Sequence, residues 1–166
     1  MNLKGKTMTP NGTLALKVLN LVLPVAGITL MVVYEICAGS CAYLKGSFLG
    51  IDLKYVGIIF MGVLLVLGVV TSPERHRFAA LSLTFLLSAA VGVEFYLIGF
   101  QMYHGTYCPY CLAFSGCVFA LFAINQGVMD RRLMVAFVVL GLLGFAVFFE
   151  GSITPSYGLL QGVARC

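Results

Sequence analysis

Polar and charged residues in this 166-residue chain are confined to short gaps between long apolar runs. Five runs stand out: about Leu14 to Ile36, Tyr55 to Thr71, Phe78 to Tyr103, Tyr110 to Val128 and Leu133 to Phe149. Each is close to the ~20 apolar residues that an α-helix needs to cross ~30 Å of hydrocarbon. Lipid offers no partner to an open backbone N–H or C=O, so such runs predict helices rather than strands. The first run carries Lys17 near its start and Pro24 inside, which predicts a helix kinked at the proline. It is too long for the apolar stretch of a cleaved signal peptide. The fold class expected is therefore an all-α integral membrane protein with five spans.

Composition agrees with that pattern. Hydrophobic residues make up 61% of the chain and charged residues 10%, with a mean hydropathy of +1.04. A water-soluble domain is nearer half apolar and a quarter charged, so there is too little polar surface here to coat a globule. The length suffices for one compact bundle but not for a bundle and a second folded domain.

The net charge of +4 does not indicate nucleic acid, because no basic stripe with interleaved aromatics exists. The basic residues orient the helices instead. Lys4, Lys6 and Lys17, then Arg75 and Arg77, then Arg131 and Arg132 fall on one side if all five runs span. The other side receives only Lys45, Lys54 and Arg165. The positive-inside rule then predicts a cytoplasmic N-terminus in the inner (plasma) membrane and an extracytoplasmic C-terminus. It also puts two cysteine pairs, Cys37/Cys41 and Cys108/Cys111, together on the outer, oxidising face.

Cys108-Pro-Tyr-Cys111 opens the fourth run. A spacing of three on a helix brings both sulfurs to one side of the first turn. The positive N-terminal end favours a thiolate there and makes the disulfide labile. Cys37-Ala-Gly-Ser-Cys41 sits where the first run ends, in a loop loosened by Gly39 and Ser40. It could be a structural staple, although a bridge over so short a loop adds little stability. Two disulfide-capable pairs on one face suggest a relay that passes two electrons through a mixed disulfide. Electrons that reach the membrane then need an acceptor soluble in lipid, and a quinone meets that need. The rival reading is a membrane metal-binding or transport protein whose four clustered thiolates hold Zn²⁺ or Cu(I), although no Met or His cluster flanks them. A structural membrane subunit with incidental disulfides is a third.

The stretch from Cys37 through Cys41 and Ser47 to Gly57 resembles the first luminal loop of the vitamin K epoxide reductase (VKOR) family. The stretch from Phe95 through Cys108 and Cys111 to Leu112 resembles that family's third helix leading into its CxxC. The resemblance implies a VKOR-type four-helix transmembrane bundle over residues 1–128. A fifth transmembrane helix over 129–150 and a short extracytoplasmic tail over 151–166 complete the expected organisation. It further implies that Cys37 meets a thioredoxin-like, DsbA-like partner and that Cys41 exchanges with Cys108. Cys111 would address the quinone, ubiquinone or menaquinone. With no fused thioredoxin-like domain before Cys166, the partner is expected to be a separate protein. The early second helix lacks the asparagine that animal members offer to the quinone, which argues against epoxide reduction.

Three further residues are candidates for the quinone site. Ser47 is placed there by the resemblance alone and is otherwise an ordinary loop serine. Glu94 lies deep in the third run, nine residues and ~13 Å from its outer end by helix rise. An intramembrane carboxyl is costly, so it serves either proton transfer at the quinone or a hydrogen bond between helices. Ser115, seven residues past Cys108, shares the CxxC face, whereas Cys117 points away from it as a small packing residue. His104 and Tyr107 precede the CxxC and are either helpers of the thiolate or interfacial anchors.

Overall fold

The computed structural model describes residues 10–36, 44–70 and 76–153. They form five helices in the places the apolar runs predict. These are α1 (Pro10–Ile36), α2 (Leu53–Val70), α3 (His76–Tyr103), α4 (Pro109–Asn125) and α5 (Arg131–Phe148). α1, α3 and α5 are long and apolar enough to cross a membrane, and Leu53–Gly68 within α2 and Pro109–Asn125 in α4 are shorter apolar stretches. α1 runs on as helix through the buried Pro24. α5 is started by Asp130, whose carboxylate accepts from the Arg132 N–H at 3.0 Å.

α1 packs against α2 and α4, and α4 also meets α3. Met31, Met61, Leu64, Leu87, Val91, Phe114, Val118 and Leu121 close the core between these four helices. Met61 is fully buried, and it lies against Gly27, where a Cβ would come within 2.9 Å of its methyl carbon. One polar pair inside the bundle ties two helices together, while the fully buried Ser88 hydroxyl has no hydrogen-bond partner among the described residues. Asn125 Nδ2 donates to Asn20 Oδ1 at 2.7 Å and to the Leu121 carbonyl at 2.8 Å, tying α4 to α1.

α5 lies along α3 with almost no gap. A Cβ on Gly92 would sit 2.1 Å from the Val138 carbonyl oxygen, and one on Gly141 would sit 2.2 Å from that of Ala89. The two backbones approach this closely only because both positions are glycine, the small-residue packing common between membrane helices.

The runs of apolar residues do not predict the sheet at the CxxC end of the bundle. β1 (Leu44–Phe48) pairs antiparallel with β2 (Ile51–Asp52) and with β3 (Phe149–Ile153), in the order β2-β1-β3. Leu49 (φ 53°) and Gly50 (φ 77°) make the two-residue turn between β1 and β2, with both residues left-handed as a type I′ turn requires. β3 follows α5 directly, with Phe48 opposite Phe149 and Ser47 opposite Glu150. The Phe149 ring lies over Gly46 and Gly151, 5.3 Å from the ring of Phe100 and 5.5 Å from that of Tyr96. α5 and β3 thus fix the strand that begins three residues after Cys41.

Candidate redox site

The α3–α4 turn delivers the CxxC. Gly105, at φ 62°, takes the left-handed position that ends α3. Gln101 then closes the loop twice. Its backbone carbonyl accepts from the Thr106 N–H at 3.1 Å, and its side-chain Oε1 accepts from the Cys108 N–H at 2.9 Å. Cys108 is the N-cap of α4 and makes no side-chain cap, and Pro109 supplies the first helical residue without an N–H of its own. Cys108 is fully buried and Cys111 half-buried. The two thiols of the motif therefore differ in access.

One turn into α4, Ser115 Oγ donates to Glu94 Oε2 at 2.5 Å and lies 3.0 Å from the Cys111 carbonyl oxygen. Glu94 is 5% exposed and Ser115 3%. A hydroxyl has one hydrogen and a carbonyl can only accept, so Ser115 alone cannot satisfy both neighbours. Both contacts become hydrogen bonds when Glu94 carries a proton, donates it to Ser115 Oγ, and Ser115 donates to Cys111. The two arrangements differ by one proton, held one helical turn from the CxxC.

The end of α1 reaches the same place. The rings of Tyr34 and Tyr110 meet edge to face, with centroids 6.2 Å apart. Tyr110 is inside the CxxC, and Tyr34 is three residues before Cys37. An exposed ion pair, Lys54 Nζ to Glu35 Oε2 at 2.6 Å, joins the last turn of α1 to the first turn of α2.

The structure thus brings Glu94, Ser115 and the Cys108–Cys111 turn together. Cys37 and Cys41 lie outside the described residues. Ser47 is in β1, opposite Asp52 and Glu150, and among the described residues no hydrogen bond joins it to Glu94 or Ser115. Cys117 packs against the edge of the core. The His104 ring lies against Phe100 and Tyr103. Gln101 and Tyr34 are the residues that sequence reasoning missed. Gln101 had a signal, because it is polar and exactly seven residues, two turns, beyond Glu94 on the same face of α3.

The model of the vitamin K epoxide reductase family matches residues 33–126, more than half of the chain. The chain belongs to the vitamin K epoxide reductase family. The match runs from the last turn of α1 to the end of α4, so it contains both cysteine pairs, Gln101 and the Glu94–Ser115 pair. α5 and β3 lie beyond it. No curated protein matches the chain. Membership makes this VKOR-family protein a membrane redox enzyme built as a helical bundle.

Proposed function

We propose that this VKOR-family protein is a quinone-dependent thiol–disulfide oxidoreductase that reoxidises a separate thioredoxin-like, DsbA-like partner outside the cytoplasm. The partner's dithiol reduces the Cys37–Cys41 disulfide and leaves with a disulfide of its own. Cys41 then attacks Cys108, and the mixed disulfide resolves to leave Cys37–Cys41 oxidised and Cys108–Cys111 reduced. Each exchange breaks one S–S bond and forms one, so two electrons move inward. Glu94 and Ser115 are the residues that would hold the quinone, with Phe114 and Val118 of the apolar core flanking Ser115 on α4. One carboxyl and one hydroxyl in an otherwise apolar surrounding suit a flat ring with carbonyl oxygens. Bound there, the quinone supplies a two-electron, two-proton acceptor. Glu94 holds a proton at Oε2 and Ser115 relays it. The positive-inside charge pattern supports an orientation with the CxxC end on the periplasmic side of the plasma membrane.

The observation that carries this reading is the contact of Tyr34 with Tyr110, which brings the chain leading into Cys37 against the CxxC. The test is quinone reduction by the purified protein, followed by absorbance, with a reduced thioredoxin-like protein as electron donor. Turnover with ubiquinone or menaquinone that is lost in Cys37→Ala, Cys41→Ala, Cys108→Ala and Cys111→Ala supports it. A folded protein that turns over with neither quinone overturns it.

A further inference from the structure

The N-terminus of α4 has a vacancy that another helix fills. Cys108 occupies the capping position without capping, and Pro109 has no N–H, so the Cys108 N–H is the first backbone donor of the turn that carries both thiols. It is claimed by Gln101 Oε1 at 2.9 Å, from a side chain 3% exposed at the end of α3. A glutamine amide in that place is a specific choice. It is an uncharged acceptor whose oxygen takes up the Cys108 N–H. The same residue's backbone carbonyl secures Thr106 and so sets the path of the chain into Cys108.

We infer that Gln101 is a positioning residue that sets the reduction potential of the Cys108–Cys111 pair by occupying the Cys108 N–H. The inference rests on the redox reading of that pair. A backbone N–H at the positive end of a helix stabilises a thiolate when it is available to it, and a thiolate is part of the reduced form. Removing the acceptor frees this donor and favours the reduced form. Replacing the amide with a carboxylate of the same shape keeps the hydrogen bond but sets a negative charge beside the sulfurs, which favours the disulfide. A side chain that merely filled space would not shift the equilibrium in opposite directions for these two changes.

The experiment measures the Cys108–Cys111 equilibrium with glutathione buffers at pH 8, by alkylation and mass, in the full-length Cys37→Ser/Cys41→Ser protein. It needs neither quinone nor partner. Gln101→Leu is expected to move the equilibrium constant about tenfold toward the dithiol, and Gln101→Glu about tenfold toward the disulfide. For a two-electron couple each is a shift of about 30 mV. Equal constants in all three proteins, or shifts of the same sign, overturn the inference. If Gln101→Leu does not fold, Gln101→Met, which also lacks an acceptor oxygen, takes its place, and an unchanged constant overturns the inference. A pair that forms no disulfide in any buffer overturns the redox reading and the inference with it. Opposite shifts in these proteins, together with an unsubstituted protein that turns over with neither ubiquinone nor menaquinone, leave the inference standing and place the fault in the quinone reading.

Discussion

Tyr34 and Tyr110 pack edge to face with ring centroids 6.2 Å apart, and each ring belongs to a segment that carries one cysteine pair. α1 and α4 are far apart in sequence, and the core residues that join them lie deeper in the bundle. This aromatic contact is at the mouth, where the two pairs would meet in the proposed exchange. It also fits the ion pair of Glu35 with Lys54, which holds the same last turn of α1 to α2.

Tyr34→Ala should slow transfer between the pairs without harming the quinone step. Aromatic pairs contribute about 0.5–1.5 kcal/mol beyond their burial, so a several-fold fall, up to about tenfold, is expected. Turnover driven by the thioredoxin-like partner is compared with turnover driven by dithiothreitol, which can reduce Cys108–Cys111 directly. Only the first should fall. An equal loss with both donors would place the damage in the bundle rather than at the contact.

Glu94→Gln keeps a hydrogen-bonding side chain beside Ser115 but cannot take up and release a proton. If the pair serves proton transfer, the turnover number should fall about 100-fold or more, the usual scale of general acid–base catalysis. The pH profile of the variant should lose one ionisation. Ser115→Ala removes the donor at 2.5 Å and leaves a buried carboxyl with one partner fewer, which costs about 1–3 kcal/mol of stability. Rates across pH 5 to 9 and melting in detergent separate the two effects. A Glu94→Gln protein with full activity at every pH would leave the pair as a bond between helices.

Much of this architecture was legible because lipid leaves the chain few choices. The third run, read as Phe78 to Tyr103, ends at the same residue as α3, and the fourth, read from Tyr110, begins one residue after α4 starts. Glu94 and Ser115 were legible as well, since a carboxyl in an apolar run stands out and helical spacing puts Ser115 below the CxxC. The sheet was not. Leu44-Lys-Gly-Ser-Phe48 is too short and too mixed for a period of two to show, and its longer partner, β3, lies about a hundred residues away. For Gln101 the polar position on the Glu94 face of α3 is legible and its partner is not. Its role is to accept from a backbone N–H, and no pattern of side chains reports where a turn leaves such a donor unpaired.

Leu49 occupies a left-handed position (φ 53°) in the two-residue turn between β1 and β2, where its side chain is largely exposed. A branched side chain costs about 1–2 kcal/mol in that conformation, and asparagine tolerates it. Leu49→Asn should therefore stabilise the hairpin by about 1 kcal/mol, seen as slower amide exchange at Phe48 and Ile51, the pair that flanks the turn. Unchanged or faster exchange would show that the exposed leucine contributes more at the membrane surface than its backbone strain removes.

Gly92→Val should separate α5 from α3. The space a Cβ would take at Gly92 is held by backbone, the Val138 carbonyl at 2.1 Å and the Leu142 nitrogen at 2.7 Å, which cannot rotate away as a side chain could. Overpacking of a tight contact costs about 1–3 kcal/mol, and the helices must part to relieve it. The consequence extends to the other end of α5. β3 continues from that helix and pairs with β1 from Phe48↔Phe149 to Leu44↔Ile153, so a displaced α5 loosens the strand that follows Cys41. The expected result is a lower melting temperature in detergent and a larger loss of turnover with the thioredoxin-like partner than with dithiothreitol. Gly99→Val, on the same helix where a Cβ meets open space, should change neither. Equal behaviour of the two variants would mean that α5 is docked by its aromatic contacts, such as Phe85 with Phe137 at 5.0 Å, rather than by the glycine approach.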